Sequence, residues 1–225
     1  MSSVDTSWMS ELGSRFLVFE GPDGSGKSTQ QRLFVDQVRE AGVVVREVRE
    51  PGGTAIGEHV RKILLDPELS EMGVRCELML YMASRAQLVE QEITPALDRG
   101  ELVVSDRYVS STLAYQGTAG GLTSEEILRV AESACGPMPT GEQSGGVWPD
   151  LTLVFDVDEQ TAARRLNPLL DRMEQKGSGF HRRVRAGYLD QAERWPDRYT
   201  VIDATRPIEE VACDVKNIVR ERLGA

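Results

Sequence analysis

The sequence predicts an α/β fold: a five-stranded parallel sheet flanked by helices, in a single domain. Three observations carry that prediction. Five short β-rich runs are spread along the 225 residues, apolar stripes of helical period lie between them, and the first run ends in a glycine-rich turn. Strands alternating with helical segments imply βαβ units, whose parallel sheet is covered on both faces.

Each element has its own signal. Residues 1–14 (MSSVDTSWMSELGS) have neither the basic flank nor the apolar core of a secretory signal, and are expected to be a frayed extension before a domain over 15–225. Phe16–Glu20 (FLVFE) reads as the first strand, and Thr29–Glu40 follows its glycine-rich turn with a helical pattern. The other strand candidates are Val43–Val48, Leu102–Ser105, Leu151–Val157 and Tyr199–Ile202. Cys76, Met79, Leu80 and Ala83 repeat at i, i+3, i+4, i+7, as do Ile127, Val130, Ala131 and Ala134. Ile208, Val211, Ala212, Val215, Ile218 and Val219 carry the same period over three turns, so all three stretches read as helices. The segment 137–149 (PMPTGEQSGGVWP) has three Pro and three Gly in thirteen residues and reads as a surface loop.

Composition excludes several classes. The longest uninterrupted apolar run is Leu78–Ala83, six residues, against the ~20 needed to cross a bilayer, so no membrane association is expected. Cys76, Cys135 and Cys213 are widely spaced and odd in number, the usage of a reduced, cytoplasmic chain without a disulfide framework. With 26 Lys and Arg against 36 Asp and Glu the net charge is −10, which argues against a nucleic-acid polymer as partner.

The strongest motif is Gly21-Pro22-Asp23-Gly24-Ser25-Gly26-Lys27-Ser28, with Thr29 following. It matches G-x-x-x-x-G-K-[ST], between a strand and a helix as that motif requires. The glycines let the backbone turn its N–H groups onto phosphate oxygens, and the helix N-terminus adds partial positive charge. Lys27 is positioned to reach the β- and γ-phosphates and Ser28 to ligate Mg2+, so the chain is expected to bind ATP. Asp106, closing the apolar run before it, stands where such proteins place the acid that supports the metal. No N-K-x-D base-reading element occurs, which leaves a small-molecule kinase or a motor-like ATPase.

Six segments in order narrow this further: GPDGSGKST (Gly21–Thr29), REPGGT (Arg49–Thr54), SRAQLVEQEITPAL (Ser84–Leu97), DRYVSSTLAYQG (Asp106–Gly117), PDLTLVFDV (Pro149–Val157) and DRME (Asp171–Glu174). From about Arg15 to the C-terminus the chain resembles the bacterial thymidylate kinases. The resemblance implies a P-loop NTPase fold of the nucleoside monophosphate kinase type with a short lid. It also implies conversion of dTMP to dTDP with ATP and Mg2+, and a homodimer. It gives Asp23 the acceptor 3′-hydroxyl, Tyr81 a stacking role on thymine, and Arg85 a base carbonyl. The i, i+4 spacing of Tyr81 and Arg85 independently puts both on one helix face. Arg107 would hold the acceptor phosphate, Thr112 the pyrimidine edge and Gln116 a further base contact. Tyr115 would crowd the 2′ position. The Arg49–Thr54 loop would close over the acceptor phosphate with Glu50 near the metal and phosphates.

Some thymidylate kinases carry an arginine directly after the P-loop acid; here that position is Gly24. The resemblance is therefore to the class that supplies basic residues from the lid, here Arg164–Glu174, with Arg165 and Arg172 as catalytic candidates beside Lys27 and Arg107, and Arg164 in reserve. That class often shows a further arginine four residues before the DR pair, where this sequence has Asn167 followed by Pro168. An acceptor phosphate oxygen is already ionised, so no general base is needed and His59 and His181 receive no role. Two alternatives stay open: a kinase for another pyrimidine nucleoside monophosphate, and a nucleotide-binding module without transfer activity.

Overall fold

Five strands in a chain that alternates strand and helix form one parallel sheet, in the order β2-β3-β1-β4-β5. The computed structural model describes residues 6–139, 145–165 and 171–224. In chain order these are β1 (Phe16–Glu20), α1 (Lys27–Glu40), β2 (Val45–Arg49), α2 (Ala55–Leu65), α3 (Val74–Leu88), α4 (Thr94–Asp98), β3 (Leu102–Asp106), α5 (Val109–Thr112), α6 (Ser124–Cys135), β4 (Leu151–Asp156), α7 (Glu159–Arg165), α8 (Ser178–Arg194), β5 (Tyr199–Asp203) and α9 (Ile208–Leu223). β1 is central, paired with β3 (Phe19 opposite Asp106) and β4 (Phe19 opposite Leu153), and buried along its whole length. That is why it reads as a continuous apolar run rather than an alternating one.

Side-chain alternation on β1 divides the core. Leu17 and Phe19 face one layer with Phe34 and Val38 of α1, Phe155 of β4 and Val211, Val215 and Val219 of α9. Phe16 and Val18 face the other, with Leu78, Met82 and Leu88 of α3, Val103 of β3 and Ile127 and Ala131 of α6. From β1 the chain crosses to β2 at one edge and returns through β3, then passes to β4 and β5 on the other side, so the carboxyl ends of β1, β3 and β4 open onto a crevice at the topological switch point, where α/β sheets bind ligands.

Three features depart from the sequence expectations. Residues 7–12 are not frayed: Ser7–Leu12 is a 3₁₀ turn whose Trp8, Met9 and Leu12 are buried in the α1/α9 layer, because their spacing puts all three on the face toward α9. In α3 the stripe Cys76, Met79 and Ala83 is exposed, Met79 at 55%, while Glu77, Leu78, Met82, Arg85 and Leu88 are buried. Two charged residues can occupy that inward face because each finds a buried partner. Finally, α3 continues through a π turn (Val89–Ile93) into α4, and α5 through another (Leu113–Thr118) that carries Tyr115 and Gln116.

The ends of the 137–149 segment are anchored: Trp148 Nε1 donates to the Gly136 carbonyl (3.1 Å) and Tyr108 Oη to that of Val147 (2.8 Å). Residues 140–144 lie outside the described residues, and so does 166–170 of the expected lid, including Asn167 and Pro168. Among the described residues no helix is long and apolar enough to cross a membrane.

Candidate active site

The turn between β1 and α1 is built by glycines. Gly21, Gly24 and Gly26 have φ of 142°, 78° and 86°, the region that favours glycine. At Gly24 a Cβ would lie 2.4 Å from the Ala162 carbonyl oxygen, so the start of α7 packs directly on the loop. No side chain fits there, in keeping with a glycine directly after Asp23. Arg165, one turn further along α7, reaches the same loop: its Nη1 lies 3.8 Å from where a Cβ on Gly26 would stand and donates to the Ala204 carbonyl (3.1 Å).

Two clefts meet at this turn. The first, about 490 Å3, is lined by Gly24, Ser25, Gly26, Lys27, Ser28, Thr29 and Gln30, with Arg165, Arg206 and Ile208 opposite. The second, about 90 Å3, is lined by Asp23, Glu50, Tyr81, Arg107, Thr112, Tyr115 and Gln116 together with Arg61, Asp171 and Met173. Lys27 sits at their junction, nearly buried, its Nζ 3.7 Å from Asp23 Oδ1 and 3.8 Å from Asp106 Oδ1. Both distances exceed a hydrogen bond, so the ammonium donors remain for phosphate oxygens.

Asp106 and Ser28 stand together, Ser28 Oγ donating to Asp106 Oδ2 at 3.1 Å. Asp106 Oδ1 and Ser25 Oγ are buried without a hydrogen-bond partner among the described residues. One hydroxyl and one under-satisfied carboxylate fit Mg2+, which takes one or two protein oxygens and leaves its other positions to water and substrate phosphate.

Arg107 organises the acceptor side. Its φ of 74° is unusual for a residue with a Cβ and costs roughly 1–2 kcal/mol. The turn is held by Glu20, the last residue of β1, which is fully buried and accepts from Tyr108 N (2.8 Å), Ser111 N (3.0 Å), Ser111 Oγ (2.7 Å) and Tyr188 Oη (2.9 Å). The same Ser111 and Tyr188 hydroxyls accept from Arg107 Nη1, at 3.1 and 3.0 Å. Arg107 Nη2 then donates to Asp23 Oδ1 (2.5 Å), Tyr115 Oη donates to Asp23 Oδ2 (3.1 Å), and the guanidinium lies 5.3 Å from the Tyr115 ring centroid. Burial works against the Asp23 carboxylate, yet Arg107 and Lys27 hold its pKa well below the ordinary range. Burial pushes the Tyr81 hydroxyl well up, so it remains a neutral ring in the cleft wall.

Two expectations are corrected. Arg85 does not line the cleft: it is buried behind the wall, with Nε and Nη2 on the Glu50 carboxylate (2.5–3.0 Å) and Nη2 also on Thr112 Oγ1 (3.2 Å). Both Glu50 oxygens accept from Arg85, while Glu50 itself lines the cleft. Arg172 is 4% exposed and turned away from both clefts, Nη1 on Glu77 Oε1 (2.6 Å) and Nε on the Leu64 carbonyl (2.8 Å). The sequence reading missed Glu20, Arg61, Glu77 and Tyr188. Glu77 had a usable signal, since it stands one turn before Tyr81 and two before Arg85; Glu20 had a weaker one, a carboxylate closing an otherwise apolar strand. Arg61, half-buried in the cleft wall with Nη1 on the Pro51 carbonyl (2.9 Å), and Tyr188 had none.

A model of the thymidylate kinase family matches residues 19–215. The chain belongs to the thymidylate kinase family. It is 45% identical to a thymidylate kinase of Deinococcus radiodurans over 213 residues, covering 92% of this chain and 97% of that one. It is 44% identical to one of Symbiobacterium thermophilum over 209 residues, covering 92% and 94%. The crystal structure of thymidylate kinase from Ehrlichia chaffeensis superposes with a TM-score of 0.74 at 32% identity, covering 92% of this chain and 99% of that one. The chain is thus an ATP-dependent kinase that converts dTMP to dTDP.

Proposed function

We propose that the larger cleft takes ATP, the smaller takes dTMP, and transfer occurs across Lys27 where the two meet. The observation that carries this reading is the shared wall: Asp23 faces one cleft, Gly24–Gln30 the other, and the Lys27 ammonium lies beside Asp23. In the reaction an acceptor phosphate oxygen forms a bond to the γ-phosphorus while the bond to the β–γ bridging oxygen breaks, and ADP leaves. The acceptor phosphate is largely dianionic at neutral pH (second pKa about 6), so the protein needs position and charge rather than a base.

The residue roles follow. Loop amides from Gly21 to Thr29 cradle the donor phosphates and Lys27 follows the migrating group. Ser28 and Asp106 would hold Mg2+, which when bound neutralises donor phosphate charge. Arg107 takes the acceptor phosphate, Asp23 the 3′-hydroxyl, and Tyr115 closes the 2′ side. Tyr81, Thr112 and Gln116 form the base wall, with Glu50 and Arg85 as its buried support. Arg165 supplies transition-state charge from α7, and Arg172 belongs to the support of the base wall. Contributed arginines of this kind are worth about 10³–10⁵ in rate in other phosphoryl-transfer enzymes.

Two coarser features complete the proposal. Ile56 and Ile63 on α2 (55% and 43% exposed) and Met79 on α3, which packs against α2, are apolar surface suited to a second copy of the chain. A homodimer through this face predicts that Met79→Glu yields monomers by sedimentation. Cys76 and Cys213 are exposed free thiols and Cys135 is buried, in keeping with a cytoplasmic enzyme, and the −10 charge opposes nucleic-acid polymers as partners. The test of the whole is a coupled ADP-release assay over dTMP, dUMP, dCMP and dGMP. Preference for dTMP is expected; ATP binding with no ADP formed from any pyrimidine deoxynucleotide would sink the reading.

A further inference from the structure

We propose that Glu77 fixes which end of the Gln116 amide faces the base, and so selects pyrimidines that carry an N3–H. The proposal rests on the reading of the smaller cleft as the base site. Glu77 is 1% exposed on α3. Its Oε1 accepts from Arg172 Nη1 (2.6 Å) and Lys176 Nζ (2.5 Å), and its Oε2 accepts from Gln116 Nε2 (2.9 Å). Two cations on one oxygen keep the carboxylate ionised, and an ionised carboxylate only accepts.

The amide of Gln116 therefore has no choice. Its NH2 end must face Glu77, which leaves the carbonyl oxygen directed elsewhere. Gln116 is fully buried, it lines the smaller cleft, and its Oε1 has no hydrogen-bond partner among the described residues. An acceptor buried in that state is costly until a donor arrives. Thymine and uracil bring an N3–H donor; cytosine brings an N3 lone pair, which sets acceptor against acceptor. Sites built around one substrate hydrogen bond reject analogues lacking it by up to about 10⁴–10⁵.

The same carboxylate reaches the other wall of the cleft. Arg172 and Lys176 belong to the segment whose Asp171 and Met173 line it, and Arg172 Nε is tied to the Leu64 carbonyl at the end of α2. Glu77 thus joins the base acceptor and this wall through one charge. It touches no substrate; it is a positioning residue.

The experiment compares kcat/KM for dTMP, dUMP and dCMP in the full-length enzyme and in Glu77→Gln, Glu77→Asp and Gln116→Leu. A glutamine at 77 offers either end of its amide, so Gln116 is free to turn. An aspartate keeps the charge for Arg172 and Lys176 but is one methylene short of Gln116. In both, the dTMP-to-dCMP ratio should fall by about tenfold or more, mainly through the dTMP KM, with dUMP following dTMP and the ATP KM unchanged. Loss shared equally by dTMP and dCMP, or an unchanged ratio, overturns the proposal. If Gln116→Leu also leaves the ratio intact, the base reading itself fails; if Gln116→Leu lowers it and the Glu77 variants do not, only the role of Glu77 fails. Should Glu77→Gln not fold, Glu77→Asp carries the test alone.

Discussion

Removing Arg85 should cost more stability than removing both it and its partner. The Arg85 and Glu50 side chains are 1% and 3% exposed, and Arg85→Met would strand the Glu50 carboxylate in the core, with the buried Glu20 carboxyl adding repulsion. Breaking a buried ion pair by removing one member costs about 3–5 kcal/mol, because the remaining charge keeps its desolvation penalty. For a chain of this size each kcal/mol moves Tm by about 2–4 °C, so a drop of about 6–20 °C is expected. Replacing both by apolar groups, in Glu50→Leu/Arg85→Met, removes the stranded charge, so the double variant should melt above Arg85→Met. Thermal and urea unfolding of the four proteins in the cycle give the coupling directly. Steady-state kinetics add a second reading. Glu50 and Thr112 line the acceptor cleft, so the dTMP KM should rise in the single and double variants while the ATP KM stays put. If the two single losses simply add in the double variant, the pair does not act as a unit and the account of Arg85 as buried support is wrong.

Lys27→Ala should abolish turnover, and Arg165→Ala should lower kcat far more than it raises the dTMP KM; an unchanged kcat would remove Arg165 from the transition-state role. Glu20→Gln turns one acceptor oxygen into a donor facing the Ser111 and Tyr188 hydroxyls that also receive Arg107, so the dTMP kcat/KM should fall about 10–100-fold with ATP affinity retained, as measured by titration calorimetry. Gly24→Ala combines a φ of 78° with a 2.4 Å approach to the Ala162 carbonyl, so both Tm and activity should drop, whereas Gly42→Ala, with open space around it, should cost only its backbone strain. Arg107 and Lys27 hold the Asp23 pKa below its ordinary value, so its ionic stabilisation is fully present above about pH 4 and lost as pH falls through the lowered native value. The Tm difference between wild type and Asp23→Asn should accordingly be flat from pH 7 to 5 and change only in more acid buffer.

Most of the fold was legible because β1, β3 and β4 are short apolar runs and the turn after β1 carries its own chemistry. β1 is buried on both faces and so reads as FLVFE without alternation, and the glycines at 21, 24 and 26 announce a turn that only glycine makes easily. The face of α3 was not legible. Periodicity ranks residues by hydrophobicity, and on this helix Glu77 and Arg85 lie inward while Cys76 and Met79 lie outward. Local spacing cannot reveal a pairing such as Arg85 with Glu50, 35 residues away, or Arg172 with Glu77, 95 residues away. The N-terminal turn was missed for a similar reason: Trp8, Met9 and Leu12 become informative only once α9 supplies a surface for them.

Charge shows the same limit from another side. Reading the motifs one by one sends every arginine and lysine of the site toward phosphate or base. In the folded chain the buried cations are matched first with carboxylates: Lys27 with Asp23 and Asp106, Arg107 with Asp23, Arg85 with Glu50, and Arg172 with Glu77. Outside the clefts Arg49 pairs with Glu58. Such pairing holds the donors at fixed places before any nucleotide arrives, which is what electrostatic stabilisation of a transition state requires. Arg165 is different. Like Arg61, it makes no ion pair among the described residues, and its Nη1 donates to the Ala204 carbonyl, which suits the transition-state role proposed for it because no carboxylate has to be given up. A paired arginine is suited to positioning substrate at little cost in reorganisation, whereas one without a carboxylate at the edge of the donor cleft is suited to the transition-state role proposed for Arg165. The surplus acid of this chain is therefore partly inside the site, where it holds Lys27, Arg107, Arg85 and Arg172 in place.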